Sequence, residues 1–166
     1  MSYKDSMIGR VIWTVIRVWV GWQWVTSGWE KLNSPVWVGS KSGVAIEGFL
    51  HGAMTKSLGL HPDVQAWYAW FVNTVAIPNG KLFSYIIAYG EFLAGVGILL
   101  GFLTVPALIA AALMNLNYLL AGTVSTNPIL LVLEAVLLFV GAPVWYFGLD
   151  AVFWPYWKHR RLRQKT

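Results

Sequence analysis

The sequence contains no cysteine. That absence excludes disulfides, persulfides formed on the protein, thiolate metal sites and iron–sulfur clusters within the chain. Charge is also scarce. Asp, Glu, Lys and Arg make up 11% of the residues, against roughly 25% in a typical soluble domain. Histidine is confined to His51, His61 and His159. All three fall outside the long apolar stretches, so no pair is set to clamp a haem iron between helices. There is no G-x-G-x-x-G after a strand and no nucleophile beside a base. Haem, metal and flavin are therefore not expected.

Apolar residues make up 57% of the chain, and it carries eleven tryptophans, whose amphipathic rings favour membrane–water interfaces. Four stretches have the roughly 17 to 25 apolar residues that a helix needs to cross a bilayer: 7–29, 82–103, 105–121 and 129–147. Open-edged strands cannot satisfy their backbone groups in hydrocarbon. The expected fold is thus all-α, a polytopic membrane protein forming one four-transmembrane-helix bundle, with no second domain and no internal repeat. A partly helical outer segment, 33–80, separates the first two spans.

The segment 156–166 gathers Lys158, Arg160, Arg161, Arg163 and Lys165. The positive-inside tendency assigns it, and with an even number of spans the N-terminus bearing Lys4 and Arg10, to the cytoplasmic side of the cell membrane. Lys31, Lys41, Lys56 and Lys81 in the outer segment pull the other way. So short a basic run is expected to touch anionic lipid rather than nucleic acid. Arg17 interrupts the first apolar stretch and no small-residue cleavage site follows, so this stretch reads as a retained helix rather than a secretory signal.

Within 33–80, two helical patterns are expected. One is GVAIEGFLHGAM, 43–54; the other, PDVQAWYAWFVNTVAIP, 62–78, opens with a proline and Asp63. Trp67, Trp70, Phe71 and Thr74 recur three or four apart, on one helical face. The segment can lie on the bilayer surface as an amphipathic layer, or form a lid over a site that opens outward.

Ionisable residues inside an apolar span are functional-site candidates by default. Counted at about 1.5 Å per residue, Arg17 and Glu91 both fall roughly 15 Å deep, near the middle of a core about 30 Å thick. They are expected to pair, either to serve a ligand or simply to fix helix register. On the first helix Arg10, Arg17, Trp24 and Lys31 recur every seven residues, with Trp13, Gly21 and Gly28 between them. Asn115, Asn117 and Glu134 add polar groups nearer the outer mouth. A guanidinium backed by Lys31 suits a small oxyanion. A lining drawn from Trp13, Trp22, Trp24, Tyr85, Tyr89 and Tyr118 suits a flat hydrophobic ring. Together these fit either an anion donor with a quinone acceptor or a path for moving a small anion.

Several of these stretches resemble a known family. Arg17-Val-Trp-Val-Gly21, Gly28-Trp-Glu-Lys31-Leu32, Gly90-Glu91 with Gly95, and LLGFLTVPA resemble the DoxX superfamily of four-helix membrane proteins. ALMNLNYLLAGTVSTNP (112–128) and WYFGLDAVFWP (145–155) are similar to its DoxD-like branch. The resemblance implies a membrane subunit of thiosulfate:quinone oxidoreductase, which oxidises thiosulfate to tetrathionate and reduces membrane quinone, working with a small DoxA-like subunit. On that reading Arg17 and Glu91 are catalytic. Arg17, Lys31, Asn115, Asn117 and Glu134 hold the sulfur oxyanion, and Trp24, Tyr89 and Tyr118 line the quinone. Membrane lipid, quinone, the oxyanion, the small subunit and a second copy of the chain are the expected partners. A non-catalytic transporter or assembly scaffold is the alternative.

Overall fold

The computed structural model describes residues 6–153. The basic segment 156–166, Lys4 and the end of the 145–155 motif lie outside the described residues. Among the described residues all regular structure is helical. Helix α1 spans Met7–Leu32, α2 Val44–Lys56, α3 Ala66–Phe71, α4 Gly80–Leu100, α5 Thr104–Leu120 and α6 Asn127–Val140.

Local sequence explains where these helices begin and end. The Ser6 hydroxyl accepts the Gly9 N–H at 3.1 Å and caps α1. Gly101, at φ 63°, adopts the left-handed conformation that closes α4. The Phe102 N–H then donates to the Gly97 carbonyl and the Gly101 N–H to that of Ile98, the paired bonds of a Schellman ending. The Asp150 carboxylate accepts the N–H groups of Leu103 and Thr104 at 2.9 and 2.8 Å, which caps α5 from a distant turn. Pro128 opens α6, where its missing N–H costs nothing.

Three boundaries differ from expectation. The 82–103 stretch is helical from Gly80 but stops at Leu100, because Gly101 turns the chain. The 129–147 stretch ends as an α-helix at Val140; Gly141 leaves it at φ 77°, and Pro143 sits in a 3₁₀ turn, Ala142–Trp145. The helix expected over 62–78 begins at Ala66 and does not stop at Pro78. A π turn, Val72–Ala76, and a 3₁₀ turn, Ile77–Asn79, carry it into α4. The resulting run, Ala66–Leu100, has 35 residues and is long and apolar enough to cross a membrane; α5 and α6 are apolar but shorter.

Helix α1 packs antiparallel on α4, and contacts of α4 with α5, α5 with α6 and α6 with α1 close a ring. The α1–α4 approach depends on glycine. Gly21 lies against the backbone of Leu99, Gly28 against that of Phe92, and Gly95 against Trp24 and Val25. Inside the ring Val20, Trp24, Ala94, Ile98, Leu108, Ala111, Leu130 and Leu137 form one core. A second core, with Ile46, Leu50, Val64, Tyr68, Val72 and Ala121, joins α2 and α3 to α4 and the end of α5. The 33–80 segment is therefore packed down, and the Lys56 ammonium ties it to the Gly122 carbonyl at 2.6 Å. Trp67 and Trp70 mark its outward face, while Tyr68 and Ala69 face the core.

The distribution of polarity is the reverse of that in a water-soluble bundle. Val15, Leu93, Val132 and Phe139 point outward, whereas Arg17, Glu91, Asn115 and Glu134 are at most 2% exposed. An apolar rind around charged groups fits a hydrocarbon solvent, where ionisable groups turn to the bundle interior.

Candidate functional site

Glu91 is the centre of the buried polar network. The Lys31 ammonium and the Ser27 hydroxyl both donate to its Oε2, at 2.7 and 2.9 Å. Lys31 also donates to Ser27 Oγ at 2.8 Å. The Tyr118 hydroxyl donates to Oε1 in a very short hydrogen bond. Ser27 and Lys31 are four apart on α1 and so share a face. Between them Gly28 lets α1 approach α4 at Phe92, which brings the ammonium to the carboxylate. Every one of these partners donates, so Glu91 is the acceptor at the middle of the network.

A second buried carboxylate lies on α6. Glu134 Oε1 accepts the Trp24 indole N–H at 2.6 Å, and the Asn115 amide donates to Oε1 and Oε2 at 3.0 and 2.9 Å. These donors are neutral; the ion pair found among the described residues is that of Lys31 with Glu91. Asn115 Oδ1 is buried and has no hydrogen-bond donor.

Two cavities adjoin these groups. A polar one of about 200 Å³ is lined by Gln23, Ser27, Glu30, Glu91, Asn115, Tyr118 and Thr126, among others. Glu30 and Thr126 are exposed, so this cavity runs from the surface to buried Glu91 and Asn115. An apolar one of about 170 Å³ lies under α2 and α3, between Phe49, Leu50, Phe71, Phe83, Ile87 and Met114, with Asn117 and Tyr118 in its wall. Tyr118 lines both. The π turn borders the apolar cavity through Ala76, and such turns recur at functional sites.

The expected Arg17–Glu91 pair does not form. One Arg17 amino group donates to the carbonyls of Ile98 and Leu99, at 2.5 and 3.0 Å, and the other to that of Phe147 at 3.5 Å. Asp150 is the acidic group whose charge acts on it. Depths counted from the helix ends misled because α1 overhangs α4: Gly101 ends α4 level with Arg17, whose guanidinium lies against Gly101. Arg17 thus binds carbonyls freed at a helix C-terminus, where a cation is favoured. Arg17→Gln is expected to cost about 1.5–3 kcal/mol for each charged hydrogen bond lost, read as a lower unfolding midpoint, with the ligand affinity of the Glu91 site unchanged.

The other expected site residues divide. Lys31, Trp24, Asn115, Glu134 and Tyr118 converge with Glu91. Asn117 faces away from the polar cavity; its amide donates to the Leu113 carbonyl at 2.7 Å and its oxygens accept the Tyr68 hydroxyl. Tyr89 lies on the outer face of α4, stacked on Tyr85 at 6.4 Å, and lines neither cavity. Ser27, Glu30, Tyr68 and the phenylalanines of the apolar cavity escaped the sequence reading as site residues. Of these, Ser27 had a usable signal, its four-residue spacing from Lys31.

The DoxX family model matches residues 12–125, from the first helix to the turn before α6. The match covers Ser27, Lys31, Glu91, Asn115 and Tyr118; Glu134 lies beyond it. Neither a curated protein nor a solved structure matches the chain significantly. An apolar exterior, a membrane-length helix and a family match over most of the chain agree: the chain belongs to the DoxX family of membrane proteins.

Proposed function

We propose that the chain is the quinone-reducing membrane subunit of a thiosulfate:quinone oxidoreductase of the DoxD-like branch. It crosses the plasma membrane four times through α1, the α4 run, α5 and α6, with both termini on the cytoplasmic side. The observation that carries this reading is the position of Tyr118, shared between an apolar cavity and a polar one and hydrogen-bonded to Glu91. Quinone reduction needs both surroundings, an apolar slot for the ring and a proton supply. Phe49, Phe71 and Phe83 suit the ring. Tyr118 can give its hydroxyl proton across the wall while Glu91, held by Lys31 and Ser27, takes up a proton from the polar cavity and passes it to the Tyr118 oxygen.

The overall chemistry balances with two protons drawn from solvent. Two thiosulfate dianions each lose one electron and join through a new sulfur–sulfur bond as tetrathionate. The two electrons, with two protons, convert one quinone to quinol. The charges of the polar cavity favour assigning the sulfur half to a partner. Glu30 and Glu91 line it, and Lys31 is already bound to Glu91. A dianion gains little there. Thiosulfate is therefore assigned to a separate small subunit of the DoxA-like kind, and Arg17 to helix capping.

The test is quinol formation on adding thiosulfate to the purified protein, with and without a candidate small subunit, followed by ultraviolet absorbance. The proposal predicts quinol once the subunit is present. No quinol under either condition would contradict it and leave anion transport or scaffolding as the function, in which case liposomes holding the protein would move a sulfur oxyanion without consuming quinone. Ala76→Phe, which projects a ring into the apolar cavity, is expected to raise the quinone KM at least tenfold by overpacking the slot.

A further inference from the structure

Glu134 is fully buried, and its partners are the neutral N–H groups of Trp24 and Asn115. Lys31 is committed to Glu91. An uncompensated carboxylate in so apolar a setting is costly, and such groups take up a proton or a cation instead. Asn115 decides between the two. With Glu134 ionised, the Asn115 amide donates to both carboxylate oxygens and leaves its own Oδ1 buried without a donor. An unsatisfied buried acceptor carries the desolvation penalty of that group. A proton on Glu134 removes both costs together: a small rotation of the amide gives a two-bond acid–amide pair, carboxyl O–H to Oδ1 and amide N–H to carboxyl oxygen.

The location gives that proton a use. Asn115 and Tyr118 are three apart on α5, on one face, and both line the polar cavity. The Glu134–Asn115 pair thus meets the polar chamber through Asn115, with Glu134 behind its wall, while Glu91 and Tyr118 line the chamber themselves. The chamber has room and polar partners for several waters, and it reaches the surface at Glu30 and Thr126. We infer that Glu134 holds an exchangeable proton as a neutral carboxyl paired with Asn115, and feeds the Glu91–Tyr118 pair through the polar cavity. The transfer is a proton passing from the Glu134 carboxyl to cavity water when the Asn115 side chain between them turns aside, and on to Glu91, with Glu134 refilled from water by the same route. The other ionisable groups at this cavity or one contact from it are Glu30 and Lys31 on α1, Glu91 on α4 and Tyr118 on α5. The destination of the proton rests on the quinone reading; its presence on Glu134 does not.

The test is infrared spectroscopy of the purified full-length protein at neutral pH, where surface carboxylates are ionised. The expected result is a carbonyl stretch from a protonated carboxylic acid that shifts in D₂O, is missing in Glu134→Gln and persists in Glu91→Gln. Asn115→Ser, which keeps a small polar side chain but removes the amide partner, is expected to move the band without abolishing it. This second variant keeps the test decisive if Glu134→Gln fails to fold. No such band, or a band retained in Glu134→Gln, would overturn the inference and point to a bound cation beside an ionised Glu134. A band that never shifts in D₂O would overturn the exchange. Because no quinone is present, failure here is separate from failure of the proposed activity.

Discussion

Lys31→Met is expected to destabilise the folded protein by about 3 kcal/mol, since removing one partner of a buried ion pair leaves the other charge without compensation. Glu91 is 1% exposed, whereas the Lys31 side chain is 19% exposed and loses less when its partner is removed. Glu91→Gln alone should therefore cost less, because the glutamine oxygen still accepts from Tyr118 and its NH2 group can donate to the Ser27 hydroxyl oxygen. Combining Lys31→Met with Glu91→Gln should recover most of the loss. Chemical unfolding in detergent micelles across the four proteins gives the coupling energy. Equal cost of Lys31→Met in both backgrounds would mean that the pair contributes nothing to stability.

The second large effect concerns the α1–α4 interface. A methyl group at Gly28 would strike the backbone of Phe92, and one at Gly95 the backbone of Val25, while at Gly21 it would lie 2.6 Å from the Leu99 nitrogen. Backbone cannot yield as a side-chain tip can, so the helices must separate. Small residues permit this approach between helices in a hydrocarbon solvent, where close packing rather than water exclusion holds them. Gly28→Ala and Gly95→Ala are each expected to cost about 3 kcal/mol, the upper end of ordinary overpacking, and to weaken the Lys31–Glu91 bond that depends on this spacing. Gly48 on α2 supplies the control, with open space where its methyl would go. Gly48→Ala should gain about 0.5–1 kcal/mol through helix propensity. If all three substitutions behaved alike, the packing account would be wrong.

Much of this arrangement was legible in the sequence. The scarcity of charge named the solvent, and the seven-residue recurrence of Trp24 and Lys31 identified the face of α1 that meets Glu91 and Glu134. Asn115 and Glu134 stood out as polar groups in apolar helices and Tyr118 as a ring-lining aromatic, and the structure gives each of them a hydrogen-bond partner. Arg17 shows what the same reasoning lacked. Its depth depends on how far α1 overhangs α4, which is set by a left-handed glycine at position 101 and an antiparallel register that helical rise alone does not reveal. The Ala66–Leu100 run was hidden for a related reason. Pro78 reads as a helix stop, yet the π and 3₁₀ turns around it absorb its missing N–H and let the chain continue. The apolar cavity had no local signature, since Phe49 on α2 and Phe83 on α4 meet only when the 33–80 segment packs down.

These features support one assignment of roles. Arg17 and Asp150 bind the backbone at the α4–α5 turn, Lys31 and Ser27 hold Glu91 in place, and Tyr118 connects the polar cavity to the apolar one. The most direct test is the rate of quinol formation by Tyr118→Phe protein, supplied with thiosulfate and the small subunit, at saturating quinone. The account predicts that kcat falls roughly 10²–10⁴-fold, the usual contribution of a positioned proton donor, while the quinone KM stays within about twofold because the ring that lines the slot is retained. An unchanged kcat would contradict the claim that protons reach quinone through Tyr118.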